Sequence, residues 1–186
     1  MQVGVKKFGG EGKILAMKEV LNLAIKNDCF GELKHESLTE EMKRKALPLL
    51  IFMVLKINGE IKPRGVVNGS FQRKHADKAD CTSQNKDFHS LKHVASVVAK
   101  EERDVEMVDL PGHFLQTEAD DSEEFLIVKF TVAVTLLLVE RYKDRWRKHL
   151  RRENGKWIVY AKCSKVMHGT LNTALMTHKK LAKVLK

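Results

Sequence analysis

The segment LLIFMVLKINGEIKPRGVVNG, residues 49–69, carries the clearest secondary-structure signal of this sequence. Two apolar runs, Leu49–Ile57 and Ile61–Val67, are joined by Asn58-Gly59. An Asn-Gly dipeptide between extended apolar runs is the strongest short-range signal for a β-hairpin. The segment therefore predicts an antiparallel strand pair, and a second Asn-Gly at Asn68-Gly69 predicts another turn directly after it.

Apolar residues at three- and four-residue spacing predict helices on both sides of this hairpin. Helices are expected at Lys13–Asn27, from a cap at Ser37 or Thr39 to Pro48, and at Leu91–Glu102, Glu140–Arg152 and Thr170–Leu185. Strands are expected at Asp104–Leu110 and, after Asn154-Gly155, at Trp157–Lys162; Leu126–Leu138 fits either type, and Gln72–Phe88 is interpreted as a loop. Because strands and helices do not alternate regularly, the pattern favours an α+β fold over a doubly wound one.

The composition is that of a globular chain of 186 residues, with 43% hydrophobic and 31% charged residues. That is enough apolar material for a core, and it excludes disorder along the whole chain. No apolar stretch reaches the roughly 18 uninterrupted residues of a bilayer span, so no membrane partner is expected. No secretory signal is visible, and three isolated cysteines (Cys29, Cys81 and Cys163) favour an intracellular, reducing location over a disulfide framework.

Positive charge is concentrated at the C-terminal end. The chain has a formal charge of +10, and residues 141–186 hold 14 Lys and Arg against 2 acidic residues. Such a basic region is typical of a nucleic-acid-binding face, although a solvated helix face has the same composition. The candidate nucleic-acid-binding residues are Arg141, Lys143, Arg145, Arg147, Lys148, Arg151 and Arg152.

Two sequence features could hold a metal. Asp109 closes a predicted strand just before Pro111-Gly112, where a carboxylate can face a cleft and bind a hard cation such as Mg²⁺, but an N-cap or turn aspartate fits the same pattern. His89 and His93 are one helical turn apart, a spacing used by zinc sites, but no third ligand is apparent and an exposed pair is favoured. The glycine-rich nucleotide-binding motifs are missing.

Four collinear blocks resemble the N-terminal half of the reverse transcriptase of copia-type LTR retrotransposons, especially the variant of algal and protist elements. Together they cover nearly all of the chain. The blocks are Leu38–Leu47; Asn58–Gly69 with Gln72-Arg73; Arg103–Gln116 with Asp120-Asp121; and Glu153–Lys156 through His168-Gly169 to Leu185.

The resemblance implies a partial right-hand polymerase fold, with residues 1–95 similar to the fingers and 96–186 similar to the palm. It implies an RNA template, a DNA primer and Mg²⁺ as partners, with Asp109 as the first metal-binding catalytic carboxylate. Phe114 would pack under the deoxyribose. Lys62 and Arg64 would pair with the triphosphate. Gly169 and Asn172 would lie against the template base and the nucleotide.

This chain also departs from the family pattern. The Tyr-x-Asp-Asp motif that supplies the other metal-binding carboxylates does not occur in these residues, His113 stands where Ala is usual, and His168 and Asn172 replace Tyr and Gln. One carboxylate cannot hold two Mg²⁺ ions, so the chain alone is expected not to polymerise DNA. The alternatives are a non-catalytic basic nucleic-acid-binding module and an inert, pseudogene-derived fragment.

Overall fold

The structure is a computed structural model that describes residues 2–74, 88–106, 109–119 and 126–185. It is an α+β fold, as the sequence predicts. The helices are α1 Gln2–Leu21, continued by a π-helical turn Asn22–Lys26, α2 Glu40–Lys45, α3 Phe88–Lys100, α4 Val132–Arg141, α5 Lys143–Trp146 and α6 Thr173–Val184. The strands are β1 Phe30–Glu32, β2 Leu47–Leu55, β3 Ile61–Val67, β4 Ile127–Lys129, β5 Arg151–Glu153, β6 Lys156–Ile158 and β7 Tyr160–Cys163.

Five strands form one mixed sheet in the order β1-β7-β4-β2-β3, in which β2 and β4 run parallel and the other neighbours antiparallel. The predicted hairpin is confirmed as β2 and β3, with Leu55 opposite Ile61 across a turn in which Gly59 has a φ of 81°. Asn154-Gly155 also forms a hairpin turn, between β5 and β6. Asn68-Gly69 instead leads into a 3-10 helix, Gly69–Lys74.

Side chains alternate across the hairpin, which gives it one buried and one exposed face. Leu49 and Ile51 of β2 are buried in the cluster that also contains Leu23 of the π-helical turn. Gly65 of β3 allows this close approach, because a Cβ atom there would lie 2.1 Å from Leu23 Cδ1. The Gly65 N–H donates to Glu19 Oε1 at 3.0 Å, which joins α1 to the edge of the sheet.

The core continues under α4 and α5 around Trp146, whose side chain is fully buried. Its ring meets Phe130 edge-on at 5.5 Å between centroids, and Phe130 meets Phe30 in the same way at 4.9 Å. The neighbouring Arg145 donates to Asp28 Oδ1 at 2.7 Å and to the Phe30 carbonyl at 2.8 Å. These contacts fix α5 against the start of β1.

The predicted helix Glu140–Arg152 is wrong as a single element. α4 ends at Arg141, and Tyr142 leaves the helical region with φ −135° and ψ 62°. The chain then forms α5, a 3-10 turn at Arg147–His149 and β5. Trp146 is buried directly after this break, so tertiary packing, which a local charge pattern does not encode, accompanies the division of the segment.

Other predicted elements differ in smaller ways. The predicted strand Asp104–Leu110 is absent from its described residues, where Val105 is 73% exposed and has no neighbouring strand; residues 107–108 lie outside the described part. Trp157–Lys162 is divided into β6 and β7 at Val159, whose carbonyl accepts from the Phe130 N–H at 2.9 Å. Thr39 is the cap of α2, and Leu126–Leu138 contributes both β4 and most of α4.

Candidate functional site

The His168-Gly169 turn lies against the outer edge of β3, the last strand of the sheet. The Val67 N–H donates to the His168 carbonyl at 2.8 Å, and the Gly69 N–H donates to the Gly169 carbonyl at 3.1 Å. The Leu171 N–H donates to Gln72 Oε1 at 3.2 Å. Three hydrogen bonds thus hold the turn beside the end of the hairpin.

Only glycine fits at position 169. Its φ is +97°, a region that side-chain-bearing residues rarely adopt. A Cβ atom there would lie 2.0 Å from the Val67 carbonyl oxygen and 2.5 Å from Val66 Cγ1. The glycine therefore permits the backbone of the turn to touch β3, on the face toward which Val66 points.

Lys62 and Arg64 share that exposed face of β3 with Val66, because side chains two residues apart in a strand point the same way. His168 keeps an exposed side chain, and partial desolvation, followed by the nearby positive charges of Arg64 and Lys62, lowers its pKa, whereas Glu19 acts in the opposite direction. Both cations are therefore within electrostatic reach of the His168 ring.

Phe114 closes the other side of His168. It belongs to a 3-10 helix, His113–Gln116, and its ring meets the His168 imidazole perpendicularly at 4.5 Å between centroids. The following residues are fixed to the strand end after β7, because the Val166 N–H donates to the Thr117 carbonyl at 2.8 Å. Lys180 of α6 also donates to the Gln116 carbonyl.

The start of α6 is tied to the same turn. The Thr173 hydroxyl donates to the Met167 carbonyl at 2.6 Å, and the Met167 side chain is buried in the core. Asn172 is the residue before α6 and is exposed. The structure thus brings Lys62, Arg64, Phe114 and Gly169 to one region around His168, which we call the His168 cluster, and Asn172 follows this turn at the start of α6.

Asp109 precedes Phe114 by five residues and lies in an irregular, exposed segment. Its carboxylate forms no hydrogen bond or ion pair among the described residues. Those residues also contain no group of three or more His, Cys, Asp or Glu side chains that could hold a metal ion. His89 and His93 are exposed on α3.

Four of the seven basic residues of 141–152 already contact other groups of the structure. Arg145 binds Asp28, and Lys148 pairs with Glu32 at 2.6 Å, an interaction that lowers the pKa of this carboxyl. Arg151 donates to backbone carbonyls and Arg152 lies over the Trp157 ring. Arg141, Lys143 and Arg147 are exposed and, within the described ranges, have no ion pair.

Cys29 and Cys163 are free, buried thiols. Burial is the main cause that raises the pKa of each to about 12, which leaves both groups protonated and unreactive at neutral pH. Cys81 lies outside the described residues. Among the helices of the described segments, none combines the length and the apolar character that a membrane span requires.

Sequence reasoning did not identify His168, at the centre of the cluster, or Glu19, whose charge raises the pKa of His168. In the sequence, His168 was noted only because it differs from the Tyr of the family motif. Its position at the centre of the cluster depends on the packing of β3 against a turn that is a hundred residues later in the chain. Glu19 gave no signal at all, since a single acid in an amphipathic helix is ordinary.

Comparison of the chain with protein-family models, curated proteins and solved structures finds no match.

Proposed function

We propose that this chain is the fingers and part of the palm of a copia-type reverse transcriptase, and that the His168 cluster binds the triphosphate and sugar of a deoxynucleotide. The supporting observation is the convergence of residues that are far apart in sequence. Lys62 and Arg64 come from the hairpin, Phe114 from the segment after Asp109, and Gly169 from the turn before α6.

The chemistry of the cluster suits this ligand. An arginine guanidinium can donate two parallel hydrogen bonds to a phosphate, and a lysine ammonium adds a second positive charge. Within the described part of the chain, Arg64 has no carboxylate partner, so its donors are available to an anion. Phe114 offers an aromatic surface beside these cations, where a sugar ring can pack.

The described residues do not fit a complete Mg²⁺ site. Asp109 is one exposed carboxylate, and the described residues contain no group of three or more His, Cys, Asp or Glu side chains that could hold a metal ion. Two-metal nucleotidyl transfer requires several carboxylates that hold both ions a few ångströms apart. We therefore restrict the proposal to recognition of the nucleotide.

Deoxynucleotide binding tests the proposal. Arg64→Gln is expected to weaken binding of a deoxynucleoside triphosphate by about 10- to 150-fold, because a charged hydrogen bond to phosphate contributes about 1.5–3 kcal/mol. Phe114→Ala is expected to reduce the preference for deoxy- over ribonucleotide. Isothermal titration calorimetry measures both effects, with Arg44→Gln on α2 as the control for loss of an exposed arginine. Equal affinities of R64Q and R44Q would contradict the proposal.

Nucleic-acid binding by the basic C-terminal region is a second candidate function, favoured by the exposed and unpaired cations at Arg141, Lys143 and Arg147 in the described region. Each neutralised phosphate contributes a slope of roughly −0.7 to −0.9 in log K against log salt. Replacing all three by Gln is expected to make this slope shallower by about 2. Fluorescence anisotropy with a single-stranded oligonucleotide measures it. An unchanged slope would exclude these residues from the interface.

A further inference from the structure

We propose that His168 is a third, titratable arm of the anion site formed by Lys62 and Arg64, and that its imidazole takes up a proton when a phosphate group binds there. This inference rests on the proposed function, because it concerns the same cluster. It adds a residue and a pH dependence that the family resemblance does not supply, since His168 stands where the family has Tyr.

The first support is the fixed position of His168. Its carbonyl accepts from the Val67 N–H at 2.8 Å, and its ring is held edge-on against Phe114 at 4.5 Å. The backbone of the next residue, Gly169, touches Val66. The backbone of residues 168 and 169 is therefore held against β3, the strand that carries Arg64 and Lys62, and Phe114 orients the exposed imidazole.

The second support is the charge around the ring. On β3 the facing groups are Arg64 and Lys62, on α1 the facing group is Glu19, and in the 3-10 helix His113 contacts Phe114 with 5.8 Å between ring centroids. Partial desolvation and the two cations outweigh Glu19 and keep the pKa of His168 below its ordinary value of 6.5. The imidazole is thus neutral near pH 7 while the site is empty.

A bound dianion reverses this balance. Its negative charge compensates Arg64 and Lys62, and a protonated imidazole can donate a hydrogen bond to it. The pKa of His168 must then rise, and by linkage the affinity for the anion increases as the pH falls through the interval between the free and bound pKa values. The proton comes from solvent, and no covalent bond changes.

Sulfate is a suitable probe, because it is a tetrahedral dianion whose own charge stays constant between about pH 5 and 8. The imidazole resonances of the unmodified protein are followed by NMR during a pH titration, with and without saturating sulfate. His168→Gln identifies the His168 signal by its loss. We expect sulfate to raise the pKa of His168 by about one unit, which corresponds to about tenfold tighter binding at low pH than at high pH.

His178→Gln is the matched control, since His178 is an exposed histidine on α6. It is expected to retain the pH-dependent affinity that H168Q loses. A His168 pKa that sulfate leaves unchanged, or an absence of sulfate binding, would overturn the inference. Sulfate binding that Arg64→Gln does not weaken would also overturn it, because the anion would then lie elsewhere.

Displacement experiments separate the two sources of phosphate. A deoxynucleoside triphosphate that displaces sulfate and raises the pKa of His168 supports both the inference and the proposed function. Displacement by an oligonucleotide alone would support the titratable anion site and overturn its assignment to the nucleotide. Nucleotide binding that leaves His168 untitrated would overturn the inference while the proposed function stands.

Discussion

Gly169→Ala is expected to destabilise the fold by roughly 3 kcal/mol or more and to abolish the anion binding that we propose for the His168 cluster. A positive φ costs an alanine about 1–2 kcal/mol. The added Cβ would lie 2.0 Å from the Val67 carbonyl oxygen, so the turn must move away from β3. That movement breaks the hydrogen bonds from Val67 and Gly69, each of which contributes about 1 kcal/mol. Urea denaturation measures the loss of stability.

Gly155→Ala is the matched control. Gly155 also has a positive φ, 74°, but a Cβ atom there would meet nothing within 4 Å. Its replacement is expected to cost only the conformational part, about 1–2 kcal/mol, and to leave sulfate binding unchanged. Equal costs for the two variants would show that the contact between the turn and β3 contributes little to stability.

Trp146→Ala is expected to cost about 3–5 kcal/mol, the range for removing a large aromatic side chain from a core. The ring is fully buried and meets Phe130 edge-on at 5.5 Å. Its loss would leave a cavity next to the ion pair between Arg145 and Asp28. Thermal unfolding followed by circular dichroism measures the effect.

Trp157→Ala provides the comparison, because Trp157 is 41% exposed on the short β5-β6 hairpin. Its replacement is expected to cost less than about 1 kcal/mol, since solvent already reaches much of the ring. A cost for Trp146→Ala as small as that for Trp157→Ala would contradict the assignment of Trp146 to the centre of the core.

Local signals explain which elements the sequence could predict. The β2-β3 hairpin depends on one turn and two adjacent apolar runs, so a short window contains all its determinants. The parallel pairing of β2 with β4 joins residues about eighty positions apart, and no local pattern encodes it. The prediction of one helix over Glu140–Arg152 was wrong for a related reason. The charge pattern favoured one helix, but the burial of Trp146 depends on tertiary contacts that this local pattern does not encode.

The residues of the candidate site also differ in whether the sequence alone could predict them. Lys62, Arg64, Phe114 and Gly169 came from the family resemblance, and each lies at the His168 cluster. The role of His168 itself depends on its neighbours in space, chiefly Phe114 and Arg64, which are distant in sequence. Composition marked Arg145 as one of seven candidate nucleic-acid-binding residues. In the structure, its charge instead holds α5 against the start of β1.

The outer edge of β3, which pairs with no further strand, carries a consequence for self-association. An exposed edge strand offers unpaired N–H groups on which another chain can add a strand, a common start of aggregation. Here Gly65 donates to Glu19 and Val67 to the His168 carbonyl, while Pro63, on the same side of the strand, has no N–H to offer. The edge of the sheet is thus closed along residues 63–67, and a second copy cannot extend the sheet there without displacing the turn.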